Sequence, residues 1–349
     1  MNALNLYGIE DLRYEPASVP VIEADDDVII HVHTAGICGS DLSRYKKLGP
    51  YVKGMTWGHE FAGIVESVGQ SVTHVKPGDR VAACPTIACG YCLSCQKGSP
   101  SQCDNLSVIG AKQPGGFADY TKLPANNVLL LPDSISMDQA ALVEPSAVAV
   151  HGLYQTSLKP GGTVAILGCG NIGLLSIAWA KLFGADVVYA IDIDSKKLDL
   201  AKQMGADALI NPLETPAHEK VYSLTEGIGV DIAIESAGSP ITSAQVFALP
   251  RKGGEVVFMG IPYGDVAIER FYFEKIVRNE LKVYGSWNAV SSPFPGKEWS
   301  ATLNKMGTGE LDVTPMITHR LPLHEGPQAF DHIIHQKEFY GKVLLYPSK

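Results

Sequence analysis

The sequence predicts an α/β chain of two domains: a compact β-barrel-like domain and one built on a doubly wound parallel sheet. Three observations carry that expectation. With 349 residues the chain is long for a single core and long enough for two. Roughly its first 150 residues are short β-rich runs separated by Gly, Pro and Asp, the texture of a small barrel. From about residue 152 the rhythm changes to strand then helix, which builds parallel sheets.

In chain order, the β-rich region holds DDVIIHVHTAG (26–36), EFAGIVESVG (60–69), VKPGDRVAA (75–83) and NVLLLPDSI (127–135). Each joins strand-forming apolar residues to a turn-forming Gly, Pro or Asp. GTVAILG then predicts a buried strand, NIGLLSIAWAKLFGA its helix, VVYAID a second strand and SKKLDLAKQMGA an amphipathic helix. DALI, VDIAIES, GGEVVFMG and LKVYGSW (281–287) continue the strands. After residue 290 the texture turns mixed: SSPFPGKEW, the helical ATLNKMGTGEL, HRLPLHEGPQAFDHI and a closing strand KVLLYP. That tail is expected to pack back on the first domain. Residues 1–151 and 290–349 then form one domain and 152–289 the other.

Composition excludes several function classes. At 46% hydrophobic and 19% charged residues, the chain is ordinary for a soluble globular protein. A net charge of −9 leaves no basic footprint for nucleic acid or an anionic membrane. The opening MNALNLYGIEDLRYEP lacks the cationic and apolar regions of a secretory signal, so a cytoplasmic location is expected. TVAILGCGNIGLLSIAWA (163–180) is apolar enough to span a membrane, but its glycines and Asn171 break it after five residues. A buried strand turning into a buried helix is the better reading.

The loudest local signal is CGYCLSCQKGSPSQC (89–103), with Cys89, Cys92, Cys95 and Cys103 spaced C-x2-C-x2-C-x7-C. In a reducing compartment stable disulfides are rare, so these read as four thiolates around one zinc. A C-x-x-C redox pair is the competing reading, for which two of the cysteines would be superfluous. Four thiolates leave zinc no open position, so this site is structural. Cys84 and Cys169 read as packing residues.

GCGNIG (168–173) fits G-x-G-x-x-G in the required context, after one strand and opening a helix. Gly168 would make the tight turn, Gly170 let backbone approach a pyrophosphate, and Gly173 let helix and strand pack closely. Asn171, Ile172 and Lys197 are further candidate cofactor contacts. Asp192, ending the next strand, would accept both ribose hydroxyls of NAD and repel the extra phosphate of NADP. Asp194 adds to that repulsion.

Cys38, His59, Glu60 and Glu144 are also of metal-ligand type, but spacing alone does not join them. A resemblance does. GHEFAGIVESVGQSV (58–72) fits the signature G-H-E-x2-G-x5-G-x2-V through Gly58, His59, Glu60, Gly63, Gly69 and Val72. With the four-cysteine lobe, GCGNIG and the domain order, the whole chain resembles the zinc-dependent medium-chain dehydrogenases. The resemblance implies a GroES-like catalytic domain, a Rossmann domain, and two zinc ions per chain. It implies that Cys38, His59 and Glu144 hold the catalytic zinc, with Glu60 a ligand or near-ligand that exchanges with water or substrate. The cysteine lobe matches the family's structural zinc.

An acid at position 144 resembles the polyol branch, where a harder ligand set suits a chelating diol. GSWNAVSSPFPGKEW (285–299), CGSDL (38–42), Arg44 and Lys47 resemble the polyol-phosphate dehydrogenases that act on galactitol phosphate. The implied reaction is NAD-dependent oxidation of a secondary hydroxyl, galactitol 1-phosphate to tagatose 6-phosphate. A sorbitol-type free-polyol enzyme, an arabitol-phosphate enzyme and a non-catalytic NAD-binding protein are the alternatives. In the implied mechanism Ser40 takes the alcohol proton. Related enzymes end the relay on a histidine, but the position here is Ser43, so Glu60 through water is the substitute. Asp41 would either orient His59 or cap its own turn. Arg44 and Lys47 would bind phosphate or form a solvated basic face, and Trp287 would wall the substrate pocket or join the core. A homodimer or homotetramer is expected.

Overall fold

The computed structural model describes residues 1–335, 337 and 339–347. Two compact units emerge: Met1–Ala147 with Asn288–Gly309 and Ile317–Lys349, and Val148–Trp287 with Glu310–Met316. The division falls inside the helix Val143–Tyr154. Glu310–Met316 corrects the expectation that all of 290–349 joins the first unit. Its Thr314–Met316 turn packs on the helix Ser195–Gln203, and Leu311, Val313 and Met316 are buried. Three apolar side chains on so short a stretch follow the core that can cover them.

The first unit is dominated by a seven-stranded sheet. Along it run Val128–Leu130, Arg80–Ala83, Glu60–Val68, Asp27–Gly36, Lys342–Tyr346 and Ile317–Pro322, while Tyr120–Pro124 also pairs with Asp27–Gly36. Leu4, Leu6, Ile30, Val32, Phe61, Val81, Phe117, Leu123, Phe330 and Leu345 fill its core. Truncating one such ring, Phe61 or Phe117, would cost about 3–5 kcal/mol. Register matters more to function. Gly36 stands opposite Glu60 on one neighbour and Leu344 on the other, which brings the head of the closing strand beside Glu60.

The second unit carries a six-stranded all-parallel sheet, in the order Ala208–Ile210, Val187–Ile191, Thr163–Leu167, Val230–Glu235, Pro250–Phe258 and Lys282–Gly285. This is the doubly wound Rossmann order, with the chain reversing direction across the sheet beside its first strand. Its inner strands Thr163–Leu167 and Val187–Ile191 read as near-continuous apolar runs and are buried along almost their whole length, as suits a parallel sheet shielded on both faces. Among the described residues no helix is long and apolar enough to cross a membrane. The stretch 163–180 divides into the strand Thr163–Leu167 and the helix Asn171–Leu182.

Candidate functional site

In the second unit the glycine turn is shaped for a ligand. Gly168 has φ +92°, which only glycine holds cheaply, and an added Cβ would meet Ala237 Cα at 2.7 Å. A Cβ on Gly173 would strike the Gly168 carbonyl and lie 2.8 Å from Ser236 Oγ. Gly170, by contrast, is exposed, and a Cβ there meets nothing within 4 Å. It caps the helix that Asn171 and Ile172 begin, so the positive helix end faces open space suited to phosphate. Asp192 is fixed beside this turn: one oxygen accepts the Cys169 N–H at 2.7 Å, the other the Asp194 N–H at 2.9 Å. Asp194 also caps the next helix, accepting from the Lys196 N–H at 2.9 Å. Lys197 sits half-buried on that helix, close enough for its charge to reach Cys169. Burial pushes the Cys169 thiol far above its usual range, so it acts as packing.

In the first unit Cys38, His59 and Glu60 each present a donor atom, all within 4.8 Å of one another. Cys38 lies two residues beyond the strand Asp27–Gly36 and caps the short helix Gly39–Ser43. His59 and Glu60 stand where the strand Glu60–Val68 begins. Asp41 both caps and orients: Oδ2 accepts the Cys38 N–H at 3.0 Å, while Oδ1 lies 3.3 Å from His59 Nδ1. The latter oxygen is fully enclosed and makes no complete hydrogen bond. An imidazole engaged at Nδ1 keeps Nε2 for a metal.

The electrostatics fit a divalent cation. Burial pushes the Cys38 thiol up, but the attraction of His59 overcomes it and brings the value to about 7. Burial opposes charge on His59, yet Asp41 and Cys38 hold its pKa well above the ordinary range. Glu144, in the first turn of the helix Val143–Tyr154, is not in the close donor set. It lies within electrostatic reach: burial pushes its carboxyl up to about 8, with His59 opposing and Cys38 and Asp41 adding. Two acidic donors, a histidine and a further carboxyl crowded together form a set that zinc would complete, at donor separations of roughly 3–4 Å.

One member was not visible in the sequence. Lys342, at the head of the closing strand, is fully buried and pairs with Glu60 Oε2. Its ammonium also donates to the Ile37 carbonyl at 3.0 Å. Burial lowers its pKa to about 8, against the attraction of Cys38 and Asp41. Stranding either partner of such a pair costs about 3–5 kcal/mol. The only sequence signal was a lysine opening an otherwise apolar strand, KVLLY.

Cys89, Cys92, Cys95 and Cys103 form a second group, with all four sulfurs within 4.8 Å of one another. Among the described residues no cysteine is in a disulfide. N–H groups already point at the sulfurs, Cys89 N to Cys103 Sγ at 3.3 Å and Cys92 N to Cys89 Sγ at 3.4 Å. A tetrahedral zinc with bonds of about 2.3 Å sets its sulfurs about 3.8 Å apart, and this cluster fits it.

Residues 24–133 match the family described as alcohol dehydrogenase GroES-like domain, and residues 171–305 match zinc-binding dehydrogenase. Sorbitol dehydrogenase of Bacillus subtilis (strain 168) is 35% identical over 354 residues, covering 100% of this chain and 98% of its own. The chain belongs to the zinc-dependent medium-chain dehydrogenases. Galactitol 1-phosphate 5-dehydrogenase of Escherichia coli (strain K12) is 36% identical over 336 residues, covering 96% of this chain and 97% of its own. The crystal structure of galactitol-1-phosphate dehydrogenase from Escherichia coli superposes with a TM-score of 0.94 at 35% identity, over 99% of this chain and 100% of that one. A zinc-binding dehydrogenase of Sinorhizobium meliloti 1021, bound to NADP, superposes with a TM-score of 0.88 at 32% identity, each chain 99% covered.

The remaining expected residues of this dehydrogenase take varied places. Ser40 is exposed in the first turn after Cys38. Ser43 Oγ donates to the Gly39 carbonyl at 3.1 Å and so is engaged within its own helix. Arg44 stacks 3.3 Å above the centre of the Tyr51 ring and donates to the Gly49 carbonyl at 3.0 Å. Lys47 is exposed, on the turn that follows. Trp287, 52% exposed, is not a core residue.

Proposed function

We propose that this dehydrogenase oxidises a secondary hydroxyl of a sugar-alcohol phosphate with NAD as hydride acceptor, galactitol 1-phosphate to tagatose 6-phosphate being the specific reaction. The observation that carries this reading is the Cys38–His59–Glu60 donor set, with Glu144 in electrostatic reach. The full-length likeness to galactitol 1-phosphate 5-dehydrogenase supports the substrate. Asp192 supports NAD over NADP, although one related structure carries NADP.

When bound, zinc acidifies the substrate hydroxyl and NAD accepts the hydride. Cys38, His59 and Glu144 would hold the metal, with Glu60 an exchangeable donor beside them, and Asp41 keeps the imidazole turned toward it. Ser40 Oγ takes the hydroxyl proton. Because Ser43 is engaged with Gly39, Glu60 through water is the better terminus for that proton. The glycine turn and its helix seat the pyrophosphate, and Asp192 accepts the ribose hydroxyls.

The stacked Arg44, together with the sorbitol dehydrogenase relative, favours a second reading, oxidation of a free polyol. An NAD-reduction assay across phosphorylated and free hexitols and pentitols separates the two. We expect galactitol 1-phosphate to be preferred over free galactitol. Arg44→Ala should raise KM for the phosphate ester about 10- to 100-fold, the worth of one charged hydrogen bond, and leave free polyols unchanged. An equal rise for both would remove the phosphate role, and no turnover of any phosphate ester would leave the free-polyol reading.

A homodimer or homotetramer is the proposed assembly. Among the described residues the edge strand Lys282–Gly285 is paired on one side only; Val283 is exposed, and the helix Arg270–Arg278 that precedes the strand exposes Phe271, Phe273 and Val277. Such an edge invites strand pairing or cover by a second copy. Light scattering should give a mass of twice the 37.4 kDa chain or a multiple of that; a monomer mass contradicts it.

A further inference from the structure

The Glu60–Lys342 pair has a function beyond holding the sheet together. We propose that Lys342 is a positioning residue for Glu60, keeping that carboxylate an exchangeable rather than a permanent donor to the metal. The inference rests on reading Cys38, His59 and Glu60 as the metal centre.

Three features support it. First, the pair is cut off from solvent: Lys342 is 0% exposed and Glu60 1%. An ammonium in contact with the carboxylate inside protein weakens it as a metal donor, and also repels the divalent ion itself. Second, the ammonium is held from two directions, by Glu60 and by the Ile37 carbonyl at 3.0 Å, next to Cys38. Third, the backbone leaves room for it. A Cβ at Gly36 would lie 2.5 Å from Lys342 Cε and 2.6 Å from Glu60 Oε2. Residue 36 lies between these two strands, so any side chain there would push the lysine off Glu60. A lysine serving only packing would not need to reach a carboxylate that also stands among metal donors.

The chemistry that follows concerns ligand exchange. With Lys342 paired to one oxygen, Glu60 can approach the metal through its other oxygen and withdraw again, opening a position for water or substrate. Without the lysine, Glu60 is an uncompensated buried anion beside a dication and stays bound to it.

The test uses the full-length protein loaded with zinc, and separately with cobalt(II), as wild type, Lys342→Met and Lys342→Arg. Two readouts are followed: release of metal from the Cys38 centre to a chelator, and the visible absorption of cobalt, which reports the donors around it. Lys342→Met should release metal at least about tenfold more slowly and shift the cobalt spectrum, whereas Lys342→Arg should stay within about threefold of wild type. If Lys342→Met does not fold, the Glu60→Gln/Lys342→Met double variant removes both charges. It should fold and release metal faster than wild type, because the donor itself is gone. Unchanged or faster release from loaded Lys342→Met, or slow release from the double variant, overturns the inference. A wild-type protein that takes up metal only in the cysteine lobe overturns the metal-centre reading beneath it. The two failures are therefore distinct.

Discussion

Cys38→Ser should lower kcat/KM for the polyol substrate by about 10³- to 10⁴-fold while leaving the protein folded. A Lewis acid at a developing alkoxide supplies several kcal/mol, and each 1.4 kcal/mol is about tenfold in rate. Serine keeps the backbone N–H that Asp41 accepts, so the helix cap survives. It removes the thiolate, the softest of the donors gathered within 4.8 Å. Metal analysis should then find one zinc per chain instead of two, the remaining one in the cysteine lobe. Cys103→Ser should show the opposite signature. Its zinc closes a lobe instead of a reaction site, so the thermal midpoint should fall by about 5–10 °C with the Cys38 centre still loaded. Near-normal turnover by Cys38→Ser with two zincs retained would place the chemistry elsewhere.

The two variants also show what the sequence could and could not convey. Cys89, Cys92, Cys95 and Cys103 lie within one short loop, so their spacing alone brought four sulfurs together. The glycine turn is likewise local: Gly168 needs its positive φ and Gly173 its close contact for reasons written in six consecutive residues. The Cys38 centre is different in kind. It is assembled by sheet register, Gly36 facing Glu60 across one pair and Leu344 across another, and no periodicity announces register. Resemblance to a known signature joined Cys38 to His59 and Glu60. It had nothing to say of Lys342, which is 282 positions from Glu60 and reads as an ordinary strand-end lysine. Asp41 posed a choice between orienting and capping that a carboxylate with two oxygens does not have to make. Glu310–Met316 groups with the second unit, where its Thr314–Met316 turn packs on the helix Ser195–Gln203, a tertiary preference that a linear texture does not encode.

Asp192→Asn should move the cofactor preference toward NADP by about 100-fold in the ratio of kcat/KM values. Two effects of opposite sign contribute. Losing the charge weakens the hydrogen bonds from the ribose hydroxyls of NAD, each worth about 1.5–3 kcal/mol to a carboxylate, so NAD should lose about tenfold. The same loss removes repulsion against the added phosphate of NADP, which should gain about tenfold. Asparagine is chosen over alanine because Asp192 has structural work as well: it accepts the N–H groups of Cys169 and Asp194 that fix the turn beside Gly168 and Gly170. Asn keeps one acceptor of the same shape and can hold one of them. Asp192→Ala would untie both and should impair the two cofactors together, with a lower thermal midpoint. Steady-state kinetics with each cofactor decide the matter. If Asp192→Asn weakens NAD and NADP in parallel, the carboxylate braces the turn and does not choose the cofactor.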